Sequence, residues 1–124
     1  MSDIIKVSTI TACYKKGKYL SKFLEELPKQ SYFSNIEVVF DHNEPDIQEI
    51  ELIQNFNKKY LKSIKHIIIN PVDPLGVSWN RCIHESNGEY LAIWNIDDLR
   101  TYKSLEKQAE YLDTHPDIDI VSGN

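Results

Sequence analysis

Short apolar segments typical of buried strands alternate along this chain with segments of helical periodicity. The segments are rich in Ile and Val and mostly lack strict polar alternation, as strands buried on both faces do. The order predicts an α/β fold: a mostly parallel sheet of about five strands with helices on both faces and right-handed crossovers, a Rossmann-like arrangement. The predicted strands are residues 4–10, 36–40, 66–69, 90–94 and 118–121.

Four predicted helices separate these strands, and local residues explain where they begin or end. Pro28 ends the first helix, and Asp46 is the expected N-cap of the second. Asn87-Gly88 closes the third, because this dipeptide is a good helix C-terminal signal. Apolar positions recur three or four residues apart over 20–27, 47–56, 77–86 and 105–112.

The bulk composition narrows the class of protein. A length of 124 residues predicts one domain, residues 1–124, and 41% hydrophobic residues suffice for a modest core. A net charge of -5 argues against nucleic-acid binding, whose usual footprint is a basic patch. No segment reaches the roughly 18 apolar residues of a membrane span. Any association with a membrane is therefore expected to be peripheral. Two distant cysteines without a disulfide pattern make the reducing cytoplasm the expected compartment.

Cysteine and histidine spacing gives no sign of a metal site. Cys13 and Cys82 lie far apart without Cys-x-x-Cys spacing, which indicates neither a disulfide framework nor a zinc site. Both are expected to be small buried apolar residues. The four histidines are scattered, and His42 is expected in a solvated loop. Lys15, Lys16 and Lys18 form a small basic cluster, which is expected on a solvated face, with contact to a phosphate as the lesser alternative.

Two adjacent acids, Asp97 and Asp98, directly follow the fourth predicted strand. Ligands of open α/β sheets bind beyond the carboxyl ends of the strands. The chain has no Gly-x-Gly-x-x-Gly after its first strand and no P-loop, so a bound diphosphate needs another source of positive charge. Two carboxylates that hold Mg²⁺ or Mn²⁺ can provide it. An Asp-Asp pair is equally a common N-cap of the helix that follows, and both interpretations stay open.

Asp41 ends the second predicted strand and also has two interpretations. An acid in this position can accept hydrogen bonds from a ribose, as in dinucleotide-binding folds. The same residue can instead form an Asx-turn with its own backbone. The residues alone do not decide between these roles.

Several stretches in order resemble parts of one family, the family 2 glycosyltransferases of the GT-A fold. The family's opening strand, aromatic-ended turn and first helix resemble KVSTITACYKKGKYLSKFLEEL, and its second strand with a terminal acid resembles IEVVFDHNEPD. Its Gly-to-Asn helix, Gly-Glu-Tyr lead-in to the fourth strand and Asp-x-Asp motif resemble GVSWNRCIHESNGEYLAIWNIDDLR. The following helix and strand resemble SLEKQAEYLDTHPDIDIVSG. Nearly the whole chain thus resembles the N-terminal, nucleotide-sugar-binding half of such enzymes.

The resemblance implies roles for the matching residues. Asp97, the last acid of the Asp-x-Asp, and Asp98 beside it would bind Mn²⁺ or Mg²⁺ as a cofactor that holds the diphosphate. The implied reaction is the inverting transfer of a sugar to a saccharide or lipid-linked acceptor, as in polysaccharide biosynthesis, with a carboxylate as general base. Residues that would contact a nucleotide-sugar donor such as a UDP-sugar are Thr11, Ala12, Tyr14, Asp41, Asn80 and Asn95.

Two residues depart from the family pattern. Asn95 stands where the Asp-x-Asp has its first acid and brings no charge, and Lys15 stands where the family often has Asn. The family's catalytic base and acceptor site lie in its C-terminal half, beyond residue 124. We therefore expect a chain truncated at its C-terminus that binds donor without turnover. The surface that the missing half would cover is expected to favour self-association.

Two other functions compete with the glycosyltransferase. A nucleotidyltransferase needs a Gly-rich basic loop after the first strand, where TACYKKGK offers one Gly and three lysines. A non-catalytic α/β module, such as a receiver-like signalling domain, has its acids after the first and third strands. Here they follow the second and fourth predicted strands. Tighter binding of a nucleoside triphosphate than of a diphosphate would favour the nucleotidyltransferase. Covalent labelling of the chain by a small phosphodonor would favour the receiver-like module.

Overall fold

The computed structural model describes residues 5–61 and 63–122, which form an α/β fold around one four-stranded sheet. Neighbouring strands are all parallel, in the order β3-β2-β1-β4. The strands are β1 (Val7–Tyr14), β2 (Ile36–Asn43), β3 (Ile64–Ile69) and β4 (Tyr90–Ile93). The helices are α1 (Leu20–Glu26), α2 (Ile47–Lys59), α3 (Leu75–His84) and α4 (Ser104–Thr114). None of these helices is long and apolar enough to cross a bilayer.

Helices cover both faces of the sheet, and each face has its own core. Successive side chains of a strand point to opposite faces, so β2 gives Val38 and Phe40 to one core and Val39 to the other. The larger core is completed by apolar residues of α1, α2 and α4, and the smaller one by Cys82 of α3. The predicted fold class is therefore confirmed, including helices on both faces.

The start of α2 follows from its sequence. Asp46 is the N-cap, and its carboxylate accepts a hydrogen bond from the amide of Glu49 at 2.8 Å. This bond satisfies one of the N–H groups that have no partner in the first turn of a helix. The predicted N-cap is confirmed, and it holds Glu49 beside the end of β2.

β1 and β2 extend further than their apolar pattern indicates. They pair in register from Val7↔Ile36 to Tyr14↔Asn43. Thr11 and Asp41, which the sequence places after the strands, therefore lie within them. A polar residue can continue a buried strand when its backbone joins the ladder and its side chain finds a partner.

The predicted fifth strand at 118–121 is wrong. Residues 118–122 pair with no strand in the described part of the chain, so the sheet has four strands rather than five. Asp117 and Asp119 alternate with the apolar residues here, and Ile120 is 84% exposed. A strand inserted into a sheet covered on both faces would have to bury residues of both sets.

β4 lies at an edge of the sheet and exposes apolar side chains. Leu91 and Ile93 are 49% and 47% exposed. They border a hollow of about 660 Å³ between β4, α4 and residues 119–122, which contains only Asp98 among the predicted site residues. Self-association through such a surface stays a prediction.

Candidate functional site

A pocket of about 500 Å³ lies where β1, β2 and the turn after β4 meet the loop that leads into α3. This is the carboxyl edge of the sheet, at which open α/β folds bind ligands. β1 pairs with β4 as far as Ile10↔Ile93, so the residues that follow these two positions converge on one edge. The predicted site residues that line the pocket are Ala12, Tyr14, Asn95, Asp97 and Asp98.

Three other predicted residues do not line this pocket. Thr11 is buried in β1, and its hydroxyl donates to the carbonyl of Trp94 at 2.6 Å. It therefore ties β1 to the start of the acidic turn. Asn80 is exposed on α3, whose buried residues are Ser78 and Cys82. Asp41 is the third, and it is buried beneath the pocket.

Asp97 and Asp98 lie in a turn rather than at a helix N-terminus. α4 begins at Ser104 and has Lys103 as its N-cap, so the helix-cap interpretation of the pair is wrong. The amide of Asp98 donates to the carbonyl of Asn95 at 3.0 Å, and the Asn95 side chain donates to the Asp98 carboxylate at 3.0 Å. The indole of Trp94 donates to the Asp98 carbonyl at 3.0 Å. Trp94 is buried, so the turn is anchored on the core.

Lys16 also lines the pocket and contacts one of its acids. Its Nζ lies 3.1 Å from Oδ2 of Asp97. This hydrogen bond and the ammonium charge lower the pKa of the Asp97 carboxyl. Asp97 is therefore ionised at neutral pH, as a metal ligand has to be. The sequence analysis expected Lys16 on a solvated face, because no local pattern indicates a contact with Asp97, which lies 81 positions further along the chain.

Asp41 is fully buried (0% exposed) within β2, which excludes the Asx-turn interpretation. Its Oδ2 accepts a hydrogen bond from Arg81 at 2.5 Å, and its Oδ1 accepts one from Asn43 at 2.9 Å. The guanidinium of Arg81 also pairs with Asp73. The carboxylate that the resemblance assigns to the nucleotide is thus held by protein partners.

Sequence reasoning assigned no role to Asn43, Asp73 or Arg81. The Asn43 side chain donates to Ser78 at 3.2 Å and accepts from the amide of Asp73 at 2.9 Å, which closes the network under the pocket. The sequence contains one signal that Arg81 lies near this network. Arg81 follows Ser78 by three positions on a helix, which places both side chains on the same helix face.

His42 is buried in β2, so its expected place in a solvated loop is wrong. Its Nδ1 lies 2.9 Å from Nε2 of His66, and its Nε2 lies 2.7 Å from Oε1 of Glu49. Burial lowers the pKa of both imidazoles to about 4, because a charged ring loses its hydration there. Both rings are therefore neutral at pH 7, and each has one nitrogen that accepts.

These two histidines predict that the fold loses stability in mild acid. Their pKa falls from 6.5 to about 4 on folding, so below pH 6.5 the unfolded chain binds more protons. Stability is fully present above pH 6.5 and is lost as the pH falls toward 4, by up to about 1.4 kcal/mol per pH unit for each histidine. Urea unfolding at about pH 7, 6 and 5 measures this slope. His66→Gln should reduce it, and a flat free energy of unfolding down to about pH 5 would contradict the prediction.

The acids of the pocket fit a hard divalent cation. Carboxylate oxygens are the ligands that Mg²⁺ and Mn²⁺ prefer. Among the described residues, no third acid, histidine or cysteine joins Asp97 and Asp98 at ligand distance. Mg²⁺ sites on nucleotides commonly have one or two carboxylates and take further oxygens from phosphates. The pair therefore suits a cation that binds together with a diphosphate.

The sequence model of glycosyl transferase family 2 matches residues 8–123 of this chain. The putative glycosyltransferase EpsE of Bacillus subtilis is 28% identical over 116 residues, and the match covers 94% of this chain and 41% of EpsE. The chain spans about two fifths of the length of such curated relatives.

Solved structures share the fold at low sequence identity. The structure of Staphylococcus aureus TarS residues 1–349 in complex with UDP-GlcNAc has a TM-score of 0.80 and 23% identity, over 90% of this chain and 32% of that one. The mannosyltransferase PcManGT of Pyrobaculum calidifontis, in complex with GDP-Man and Mn²⁺, has a TM-score of 0.77 and 15% identity. The match covers 86% of this chain and 32% of PcManGT. These likenesses establish a GT-A-type fold for the described residues.

Proposed function

Because this chain belongs to glycosyl transferase family 2, we propose that it forms the donor-binding part of a GT-A glycosyltransferase. The pocket at the ends of β1, β2 and β4 takes a nucleotide-sugar such as a UDP-sugar. The whole enzyme transfers the sugar with inversion to a hydroxyl of a saccharide or lipid-linked acceptor. The acceptor site and the general base then belong to the part of the relatives that this chain does not span.

The observation that carries this proposal is the convergence of Asp97, Asp98 and Tyr14 on one pocket. The Tyr14 ring is 39% exposed and offers an apolar face to a base or sugar, while the acids offer oxygens to a cation. A volume of about 500 Å³ suits a small-molecule ligand. TarS with UDP-GlcNAc and PcManGT with GDP-Man support a nucleotide-sugar as the donor class.

Asp97 and Asp98 are the residues that would hold Mn²⁺ or Mg²⁺. When bound, such a cation would supply Lewis-acid stabilisation of the diphosphate leaving group. Asn95 orients the Asp98 carboxylate through its side-chain amide. Lys16 neutralises Asp97, and its flexible ammonium can turn to a phosphate oxygen when donor binds.

We expect UDP to bind this chain in the presence of Mn²⁺ and to bind much more weakly without it. Asp97→Asn should weaken the Mn²⁺-dependent binding by roughly a hundredfold, because losing a ligand's charge costs at least as much as losing a residue that only orients a ligand. Calorimetric titration of UDP into both proteins, with and without Mn²⁺, measures this difference. GDP in parallel tests which base is preferred.

Asp117→Asn is the matched control, since it removes the same charge from an exposed acid outside the pocket. It should bind UDP like the wild type. Uridine, which has no phosphates, should bind without metal dependence. The proposal is wrong if neither UDP nor GDP shows metal-dependent binding at millimolar concentration, or if Asp97→Asn binds UDP as the wild type does.

A further inference from the structure

A second group of metal-ligating side chains lies on the opposite face of β2 from Asp41. Cys13 of β1, His42 of β2 and Glu49 of α2 each offer one ligand atom, and these atoms lie within 4.8 Å of one another. Cys13 and His42 are directly paired in the β1–β2 ladder. Among residues 5–61 and 63–122, no other group of at least three such side chains is this close.

The chemistry of these three ligands differs from that of the acidic pair. A thiolate and an imidazole are soft or borderline donors, and with one carboxylate they suit Zn²⁺ better than Mg²⁺ or Mn²⁺. Their charges also match: one thiolate and one carboxylate balance a divalent cation, while the imidazole stays neutral. The net charge of the occupied site is therefore zero, which suits a buried position because an unbalanced charge is costly there.

The ligands lie inside the protein. Cys13 and His42 are 1% and 0% exposed. A metal binds cysteine as the thiolate, so metal binding at this site would release the Cys13 proton.

His66 gives His42 the partner that a metal-bound imidazole usually has. The two rings meet through Nδ1 of His42 and Nε2 of His66 at 2.9 Å. When His42 Nε2 faces a metal, its Nδ1–H can donate to the neutral His66. Such an outer hydrogen bond fixes the tautomer and the orientation of a ligating histidine.

Gly17 gives the Glu49 carboxylate its space. A Cβ at position 17 would overlap Oε2 of Glu49 and lie 2.7 Å from its Cδ. Gly17 has no positive φ, so the need for glycine here is one of room rather than backbone conformation. Zinc–ligand distances of about 2.0–2.3 Å require the ligand atoms to be roughly 3–4 Å apart. Side-chain shifts of about 1 Å achieve this from the present geometry.

We propose that Cys13, His42 and Glu49 form a Zn²⁺ site, with the fourth position left to water. The ion links β1, β2 and α2 on the face of the sheet away from Arg81. Cys13 also lines the donor pocket, so the site would stabilise the end of β1 that borders this pocket. Its ligands are separate from Asp97 and Asp98.

Cobalt substitution tests the site directly. Under reducing conditions, we expect Co²⁺ to give the thiolate-to-metal charge-transfer absorption of a cysteine-ligated site, and Zn²⁺ to abolish it by displacement. Cys13→Ala should lose the absorption. Cys82→Ala should keep it, because it removes the other buried thiol, whose neighbours are backbone carbonyls. Asp97→Asn should keep it as well.

Thermal unfolding gives a second readout and includes a variant that alters no ligand. At a hundredfold excess over its Kd, Zn²⁺ should raise the Tm of the wild type by roughly 10 °C. Gly17→Ala, which displaces Glu49, should keep the thiolate absorption but weaken Zn²⁺ binding at least tenfold. The proposal is overturned if the wild type shows neither the absorption nor a Zn²⁺-dependent Tm. It is equally overturned if Cys13→Ala retains both, and the cluster is then only a hydrogen-bonded network.

Discussion

Gly88→Ala should destabilise the fold by about 3 kcal/mol or more, the upper end of what overpacking costs. A Cβ at this position would lie 2.5 Å from the amide nitrogen of Ser8 and 2.9 Å from the carbonyl carbon of Val7. Both are backbone atoms of β1, which pairs with strands on both sides and cannot move aside. If residue 88 moved away from β1 to remove this overlap, it would also lose the hydrogen bond that its amide donates to the Ser8 hydroxyl at 2.7 Å.

Urea unfolding measures this loss, and Gly76→Ala is the matched control. A Cβ at position 76 meets no atom within 4 Å. Gly76 lies in the first turn of α3, where alanine is the better helix former, so this substitution should stabilise the fold by about 0.5–1 kcal/mol. If both substitutions changed the free energy of unfolding equally, β1 would have to shift to accommodate the added methyl group at position 88, and the prediction would be wrong.

Arg81→Met should destabilise the fold by about 3–5 kcal/mol, because it removes the cation that neutralises a completely buried carboxylate. Asp41 would then keep only the hydrogen bond from Asn43 at 2.9 Å. Methionine preserves much of the apolar volume of the arginine stem, so the loss reports on charge rather than on packing. The free energy of unfolding at neutral pH is the quantity to compare.

Two further variants test whether the lost stability comes from the Asp41–Arg81 ion pair or from the other contacts that Arg81 makes on α3. Asp73→Asn removes the other, 32% exposed, partner of Arg81 and should cost at most about 1 kcal/mol. Asp41→Asn combined with Arg81→Met should recover part of the stability, because no buried charge is left without a partner. A double variant less stable than Arg81→Met alone would show that the ion pair is not the cause.

Periodicity and local signals were sufficient for much of the fold. The alternation of strand and helix segments predicted the parallel sheet, and the Asp46 cap predicted the start of α2. The failures occurred where apolar pattern and strand length disagree. Polar residues such as Asp41 and His42 continue β2 because partners from other elements satisfy them. Residues 118–121 have an apolar pattern but no partner strand among the described residues.

The candidate site was predictable only to the level of one sheet edge. Parallel strands place all their carboxyl ends together, so Tyr14 and Asp97 could be expected on the same pocket. The interpretation of Asp97 and Asp98 as a helix cap could be rejected only once α4 was seen to begin at Ser104. Which of the remaining residues face the pocket depends on the rotation of α3, which exposes Asn80 and turns Arg81 toward Asp41.

Local sequence patterns were enough to predict the order and direction of the elements, because periodicity and capping depend on neighbours a few residues apart. They also indicated that two acids follow a strand at the ligand-binding edge. Three contacts became visible only in the folded chain: Arg81 with Asp41, Lys16 with Asp97, and Cys13 with His42 and Glu49. These contacts join residues of different elements, so they depend on strand register and helix rotation, which no local pattern records.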